Sequence, residues 1–309
     1  MKKVFIDGSA GTTGLRIFER LQTDKELELI TLNEKDRKDP ACRKQALNLA
    51  DIAILCLPDD AAREAAGWVL NPNTVVLDTS TAHRTAPGWV YGFPELSAAQ
   101  KAAVCSAKRI AVPGCHASGF IALTTPLVQA GLLPKTAQLT CFSLTGYSGG
   151  GKKMIAEYTA PARSELFKAP RQYALPQQHK HLAEMQTQTG LPAPAFCPVV
   201  GDFYSGMQVT VPLFANQLAP GTTPANIAEV YRQQFGGPVV QYAAELGENG
   251  FLSAAALSGY DSMKIAVSGN SSRILLLALY DNLGKGASGA AIECLNLALG
   301  RPPEQGLRL

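Results

Sequence analysis

The chain has 309 residues, 46% of them hydrophobic and 17% charged, with a formal net charge of +3. That length favours two domains, and that composition favours an ordinary soluble fold with ample core. The basic residues form no long runs, which argues against a nucleic-acid or anionic-membrane partner.

Residues 4–6 form the first predicted strand. The apolar run after Met1-Lys2-Lys3 stops at Asp7-Gly8, far short of a signal-peptide core, so no export is expected. A helix is predicted over 14–23, a second strand over 27–32, and continuous apolar strands over 52–57 and 74–77. Unbroken apolar strands separated by helical stretches indicate a parallel sheet covered on both faces, a doubly wound α/β unit.

Beyond Pro113 the texture changes. Residues 117–133 read as a helix with a kink or break at Pro126, and 138–144 as a strand. Pro161, Pro170, Pro176, Pro192, Pro194 and Pro198 then predict long loops. Strands return at 207–214, 239–242, 265–267 and 274–279, closely enough spaced for an α+β domain. The run 274–280 is strand-length and too short to span a membrane. Residues 286–299 read as a closing helix that ends at Gly300, with Pro302 beyond it.

Directly after the first strand stands Gly8-Ser9-Ala10-Gly11-Thr12-Thr13-Gly14. The spacing G-x-x-G-x-x-G departs from the usual dinucleotide fingerprint. Its place between a first strand and a first helix is still the place for a pyrophosphate. After the second strand comes Glu34, but also Lys35, Arg37 and Lys38, a basic cluster that favours NADP over NAD. A bare glycine turn and a solvated surface loop are the alternatives.

The seven cysteines are at 42, 56, 105, 115, 141, 197 and 294, an odd and scattered set without a C-x-x-C pair. No disulfide framework or zinc site is expected, and a reducing cytoplasm is. Only Cys115 combines a preceding Pro-Gly turn with a following helix, where unpaired amides and the helix dipole favour a thiolate. A proton partner is expected among four histidines, His83, His116, His179 and His181. His179-Lys180-His181 opens a predicted helix with Glu184 one turn on.

With these residues, the chain resembles the shorter N-acetyl-gamma-glutamyl-phosphate reductases and, more distantly, the aspartate-semialdehyde dehydrogenases. The resemblance rests on Gly8–Gly14, Asp78-Thr79-Ser80, Tyr91-Gly92-Phe93-Pro94-Glu95 and Pro113-Gly114-Cys115. It continues through Ser148-Gly149-Gly150-Gly151-Lys152, His179-Lys180-His181 and Asp281-Asn282-Leu283-Gly284-Lys285-Gly286-Ala287. It implies a Rossmann-type NADP-binding domain over 1–114, completed by a C-terminal helix over 285–309. A catalytic and dimerisation domain of the semialdehyde dehydrogenase type would cover 115–284.

The resemblance further implies Cys115 as nucleophile and His181 or His179 as acid–base, with His181 favoured because Glu184 follows it. The cofactor residues implied are Gly8, Ser9, Gly11, Thr12, Thr13, Gly14, Arg37 and Asn282, and the substrate residues Arg84, Ser148 and Lys152. A homo-oligomer, dimer or tetramer, and a place in arginine biosynthesis are implied as well. Two positions depart from the pattern: Thr81-Ala82-His83-Arg84 lacks the usual acidic residue, and His116 replaces a common tyrosine.

Overall fold

A computed structural model describes residues 1–309, which fold into two compact units. The first comprises Met1–Pro94, Ala98–Gly114 and Ala287–Leu307, and the second Glu95–Ser97, Cys115–Gly286 and Arg308–Leu309.

In the first unit β1 (Lys2–Asp7), α1 (Thr12–Leu21), β2 (Leu27–Ile30), α2 (Pro40–Leu49), β3 (Ile52–Leu55) and α3 (Asp59–Gly67) follow in alternation. Then come β4 (Val75–Asp78), β5 (Val90–Tyr91), α4 (Ala98–Ser106) and β6 (Arg109–Ala111). The six strands are parallel in the order β2-β1-β3-β4-β6-β5. Period-two alternation sends Val4 and Ile6 of β1 to one core, with Ile17 and Leu21 of α1, Val104 of α4 and the C-terminal helix Gly289–Ala298. Phe5 faces the other way, into a core with Ala46 and Leu47 of α2 and Ala65 of α3. Strand order reverses at β1, so the crevice beyond the ends of β1 and β3 is the switch point where such sheets bind ligands.

The second unit contains α5 (Cys115–Gln129), β7 (Thr140–Gly146), α6 (Gly151–Thr159), β8 (Arg171–Gln172), α7 (His181–Thr189) and β9 (Ala195–Gly201). It continues with β10 (Met207–Phe214), α8 (Pro224–Gln234), β11 (Val240–Tyr242), β12 (Met263–Gly269) and β13 (Arg273–Tyr280). Its mixed sheet has the order β11-β12-β13-β10-β7-β9-β8. One face is buried under α5, and α7 and α8 pack on that helix.

Three local expectations need correction. Pro126 lies inside α5 rather than breaking it, although the helix ends three residues later, at Gln129 instead of 133. Pro198 sits within β9 rather than in a loop. β8 pairs with Val199 and Val200 and ends where Pro198 faces it: the Pro198 carbonyl accepts from the Tyr173 amide at 3.0 Å, and the proline nitrogen has no hydrogen to return the bond. The closing helix starts at Gly289, not 286, because Gly284–Ser288 forms a wider π turn. A Cβ at Gly284 would fall 2.1 Å from the Tyr260 carbonyl oxygen, so that turn passes closer than any side chain allows.

Candidate active site

At the switch point Gly8 takes φ +89°, and a Cβ there would lie 2.3 Å from the Cys56 carbonyl oxygen. A Cβ at Gly14 would lie 2.4 Å from the Gly8 carbonyl oxygen. Gly11 differs, with its nearest atom at 3.4 Å, so folding alone does not require a glycine there. Gly11 is the N-cap of α1, and Thr12, Thr13 and Gly14 form that helix's first turn, whose amides have no intrahelical acceptor. Beside this turn lies a cavity of about 680 Å³ lined by Gly8, Ser9, Thr31, Arg37, Lys38 and Arg43.

Arg37 pairs with Glu34 at 3.0 Å. Arg43 holds Asp7 with Nε and Nη2 at 2.9–3.2 Å and stacks over Trp68. Sequence reasoning did not single out Arg43, because nothing in its spacing ties the first turn of α2 to the glycine loop. Backbone amides opening a helix, together with these cations, form the donor set that a phosphate-bearing dinucleotide needs.

His83 and Arg84 belong to the same unit. His83 Nδ1 lies 2.6 Å from the Asp78 carboxylate, and its ring stacks on Trp89 at 4.0 Å. The Arg84 side chain is buried, with Nε donating to the Val112 carbonyl and Nη2 to the Thr79 carbonyl, each at 2.9 Å. Those bonds tie the loop after β4 to the strand exit that leads to Pro113 and Gly114.

The second unit gathers the remaining three histidines. Cys115 is the first residue of α5, and His181 the first of α7. The His116 ring centroid lies 5.7 Å from that of His179 and 5.6 Å from that of His181, and the latter two are 4.7 Å apart. His116 Nδ1 meets Ser143 Oγ at 2.7 Å and Nε2 meets the Tyr173 hydroxyl at 2.6 Å. Burial, with His179 adding to it, pushes the His116 pKa down to about 3, so the ring is neutral.

His179 Nδ1 accepts the His181 amide at 3.1 Å, which leaves the His179 proton, in the neutral ring, on Nε2. Glu184 is buried one turn into α7. Burial and the nearby Cys115 sulfur push the Tyr173 hydroxyl up. The Tyr280 hydroxyl, pushed up first by burial and then by Cys115, donates to the Cys115 carbonyl at 2.5 Å and accepts the Gly119 amide at 3.1 Å.

Ser143 and Tyr280 carried no sequence signal beyond the apolar runs they belong to, and Tyr173 fell in a stretch expected to be loop. The loop from Tyr173 to His179 includes Ala174 at φ 52° and Gln177 at φ 57°, sparsely populated conformations for side-chain-bearing residues. Gln177 pins the loop by bonding both the amide and the carbonyl of Phe196, at 2.8 and 2.7 Å.

The Asn282 side chain donates to Ser148 Oγ at 3.0 Å and accepts the Gly206 amide at 2.9 Å, and both Asn282 and Ser148 are buried. Lys152 is exposed near the start of α6. A Cβ on Gly286 would lie 2.9 Å from the Cys115 Cβ, so the 281–286 turn packs directly on the cysteine.

Residues 3–103 match the semialdehyde dehydrogenase NAD binding domain and residues 115–282 the semialdehyde dehydrogenase dimerisation domain. The fold is shared with aspartate semialdehyde dehydrogenase II from Vibrio cholerae (TM-score 0.71, 17% identity, 97% of this chain and 98% of that one). A probable aspartate-semialdehyde dehydrogenase from Pseudomonas aeruginosa is similar (TM-score 0.72, 16% identity, 96% and 98%). The protein is therefore a semialdehyde dehydrogenase by class.

Curated relatives narrow this further. The chain is 45% identical to an N-acetyl-gamma-glutamyl-phosphate reductase of Sinorhizobium fredii over 96% of this chain and 98% of that one. It is 42% identical to N-acetyl-gamma-glutamyl-phosphate reductase 2 of a Nostoc species over 99% of each. The chain belongs to the N-acetyl-gamma-glutamyl-phosphate reductase family.

Proposed function

We propose that the protein reduces N-acetylglutamyl 5-phosphate to N-acetylglutamate 5-semialdehyde and inorganic phosphate, with NADPH as reductant, in arginine biosynthesis. The observation that carries this reading is Cys115 opening a helix in the unit that also gathers His179 and His181. The Cys115 sulfur attacks the acyl carbon, the acyl–phosphate bond breaks, and a thioester with phosphate as leaving group results. Bound NADPH supplies the hydrogen and electron pair that convert the thioester to a thiohemiacetal. The carbon–sulfur bond of the thiohemiacetal then breaks, releasing the aldehyde and returning the sulfur to Cys115. Amides of the first turn of α5 stabilise the oxyanion of the tetrahedral stages.

His181 takes the thiol proton and returns one to the product side, because the His179 Nδ1 lone pair is committed to the His181 amide. His179 then orients the start of α7 and shapes the electrostatics around His116. The amides of Thr12, Thr13 and Gly14 take the pyrophosphate, with Gly8, Ser9 and Gly11 allowing its approach, while Arg37, Lys38 and Arg43 favour the extra phosphate of NADP. This divides the labour into a nucleotide domain, built of 1–114 and the C-terminal helix, and a catalytic domain between them. Arg84 acts through the backbone ahead of Cys115, Ser148 buttresses Asn282, and Lys152 adds positive potential for the phosphate of the substrate.

The free cysteines fit a reducing cytoplasm, and no helix is long and apolar enough to cross a membrane. The second sheet supports a homo-oligomer, a dimer or a tetramer of such dimers. On its face away from α5, Phe142, Pro212, Phe214 and Leu275 are exposed, an apolar surface suited to a second copy.

The test is oxidation of N-acetylglutamate semialdehyde by NADP+ with phosphate, run beside aspartate semialdehyde. The account expects turnover of the acetylated substrate alone and its loss in Cys115→Ala, with NADPH binding retained. Preference for the aspartate compound, or substantial Cys115→Ala turnover, contradicts it.

A further inference from the structure

We infer that Arg171 is the anchor for an anionic group of the substrate, a role that rests on the proposed reaction. The sheet register carries the argument. Arg171 pairs with Val200, Val200 with Thr145, Thr145 with Met207 and Met207 with Tyr280, so these five side chains share one face of the sheet. Tyr280 closes that row at the Cys115 carbonyl. One row along, Tyr173 and Ser143 reach His116 from the same face. Arg171 therefore stands at the β8 end of the face that carries the cysteine and the histidine cluster, two residues before a tyrosine that feels the Cys115 sulfur.

Its guanidinium is built into place. It lies over the Phe167 ring at 3.8 Å and donates Nε and Nη2 to the hydroxyl of buried Tyr158 at 3.1 and 2.9 Å. Tyr158 is itself stacked between Phe167 and Tyr147. Arg37, Arg43, Arg63, Arg163, Arg232 and Arg301 each hold a carboxylate. Arg171 is half-buried, held by aromatic rings and a neutral hydroxyl, and has no carboxylate partner. A guanidinium has five N–H donors in a planar fork. Two are used by Tyr158, and the remaining three suit a bidentate contact with a carboxylate or phosphoryl group.

The proposed substrate offers both groups, and the phosphorolytic direction separates them. KM values for phosphate and for N-acetylglutamate semialdehyde are measured with NADP+ for wild type, Arg171→Gln and Arg171→Lys. The expected result is a rise of about ten- to a hundred-fold in one of the two KM values in Arg171→Gln. A rise confined to phosphate places Arg171 on the phosphoryl group; a rise confined to the semialdehyde places it on the carboxylate. The KM for NADP+ stays unchanged, and Arg171→Lys, which keeps the charge without the fork, falls between wild type and Arg171→Gln.

Unchanged KM values for both anions overturn the assignment, as does a loss confined to kcat. Should Arg171→Gln unfold, the Arg171→Lys values decide, and wild-type KM values there with a lowered unfolding temperature reduce Arg171 to packing. Absent wild-type turnover would instead contradict the proposed reaction itself, so the two failures are distinguishable.

Discussion

At the scale of single residues, His116 shows how burial sets chemistry. The neutral ring of this residue, the one after Cys115, bridges Ser143 and Tyr173, and its pKa falls from 6.5 to about 3. An unfolded chain binds a proton at this histidine below pH 6.5, while the folded chain refuses it until about pH 3. The stability it contributes is complete above pH 6.5 and is lost as the pH falls through that window, by about 1.4 kcal/mol per unit from this group. His116→Gln should therefore be less stable at pH 7 yet show a shallower acid loss. Urea unfolding of both proteins at pH 7, 6, 5 and 4 measures this, and parallel stability curves would contradict it. Cys56 illustrates the opposite direction, a partly buried thiol that desolvation pushes up to about 12 and thereby keeps out of thiolate chemistry.

At the scale of elements, α5 seats Cys115, the proposed nucleophile, because Gly119 lets the helix approach the sheet. A Cβ there would lie 2.6 Å from Val209 and 2.7 Å from the Tyr280 hydroxyl, the group that also holds the Cys115 carbonyl. Gly119→Ala is expected to cost about 1–3 kcal/mol by overpacking and to lower kcat by displacing the helix start. Gly67→Ala, with nothing within 4 Å, serves as the control and should change neither quantity. Thermal unfolding and turnover of the two variants decide this; equal behaviour would refute the role of Gly119.

Element periodicity was readable in the chain where one face is buried. β10 is 207–214 as predicted, since its alternation is unbroken. β9 was not, since Pro194 and Pro198 read as loop, whereas β9 keeps its register with β7 straight through Pro198. The start of the closing helix was misplaced because the π turn answers to packing against Tyr260 and Cys115, which lie far off in sequence.

For the molecule as a whole, the chain forms two compact units, and the proposed division of labour assigns the nucleotide to one and the acyl chemistry to the other. The glycine loop, Cys115 and the His179/His181 pair are local signals, visible as short strings. Tyr173, Arg43 and Arg171 were invisible there, because their relevance comes from strand register and from contacts between distant segments.

The central claim is that acyl transfer passes through Cys115, and the enzyme-bound intermediate tests it most directly. In the presence of N-acetylglutamate semialdehyde and NADP+ but without phosphate, the thioester has no phosphate acceptor and should accumulate. Acid quenching followed by peptide mass analysis should find an N-acetylglutamyl group on the Cys115 peptide, labile to hydroxylamine and absent from Cys115→Ser. An enzyme that turns over fully with phosphate yet carries no such adduct, or carries it on another residue, would contradict the account.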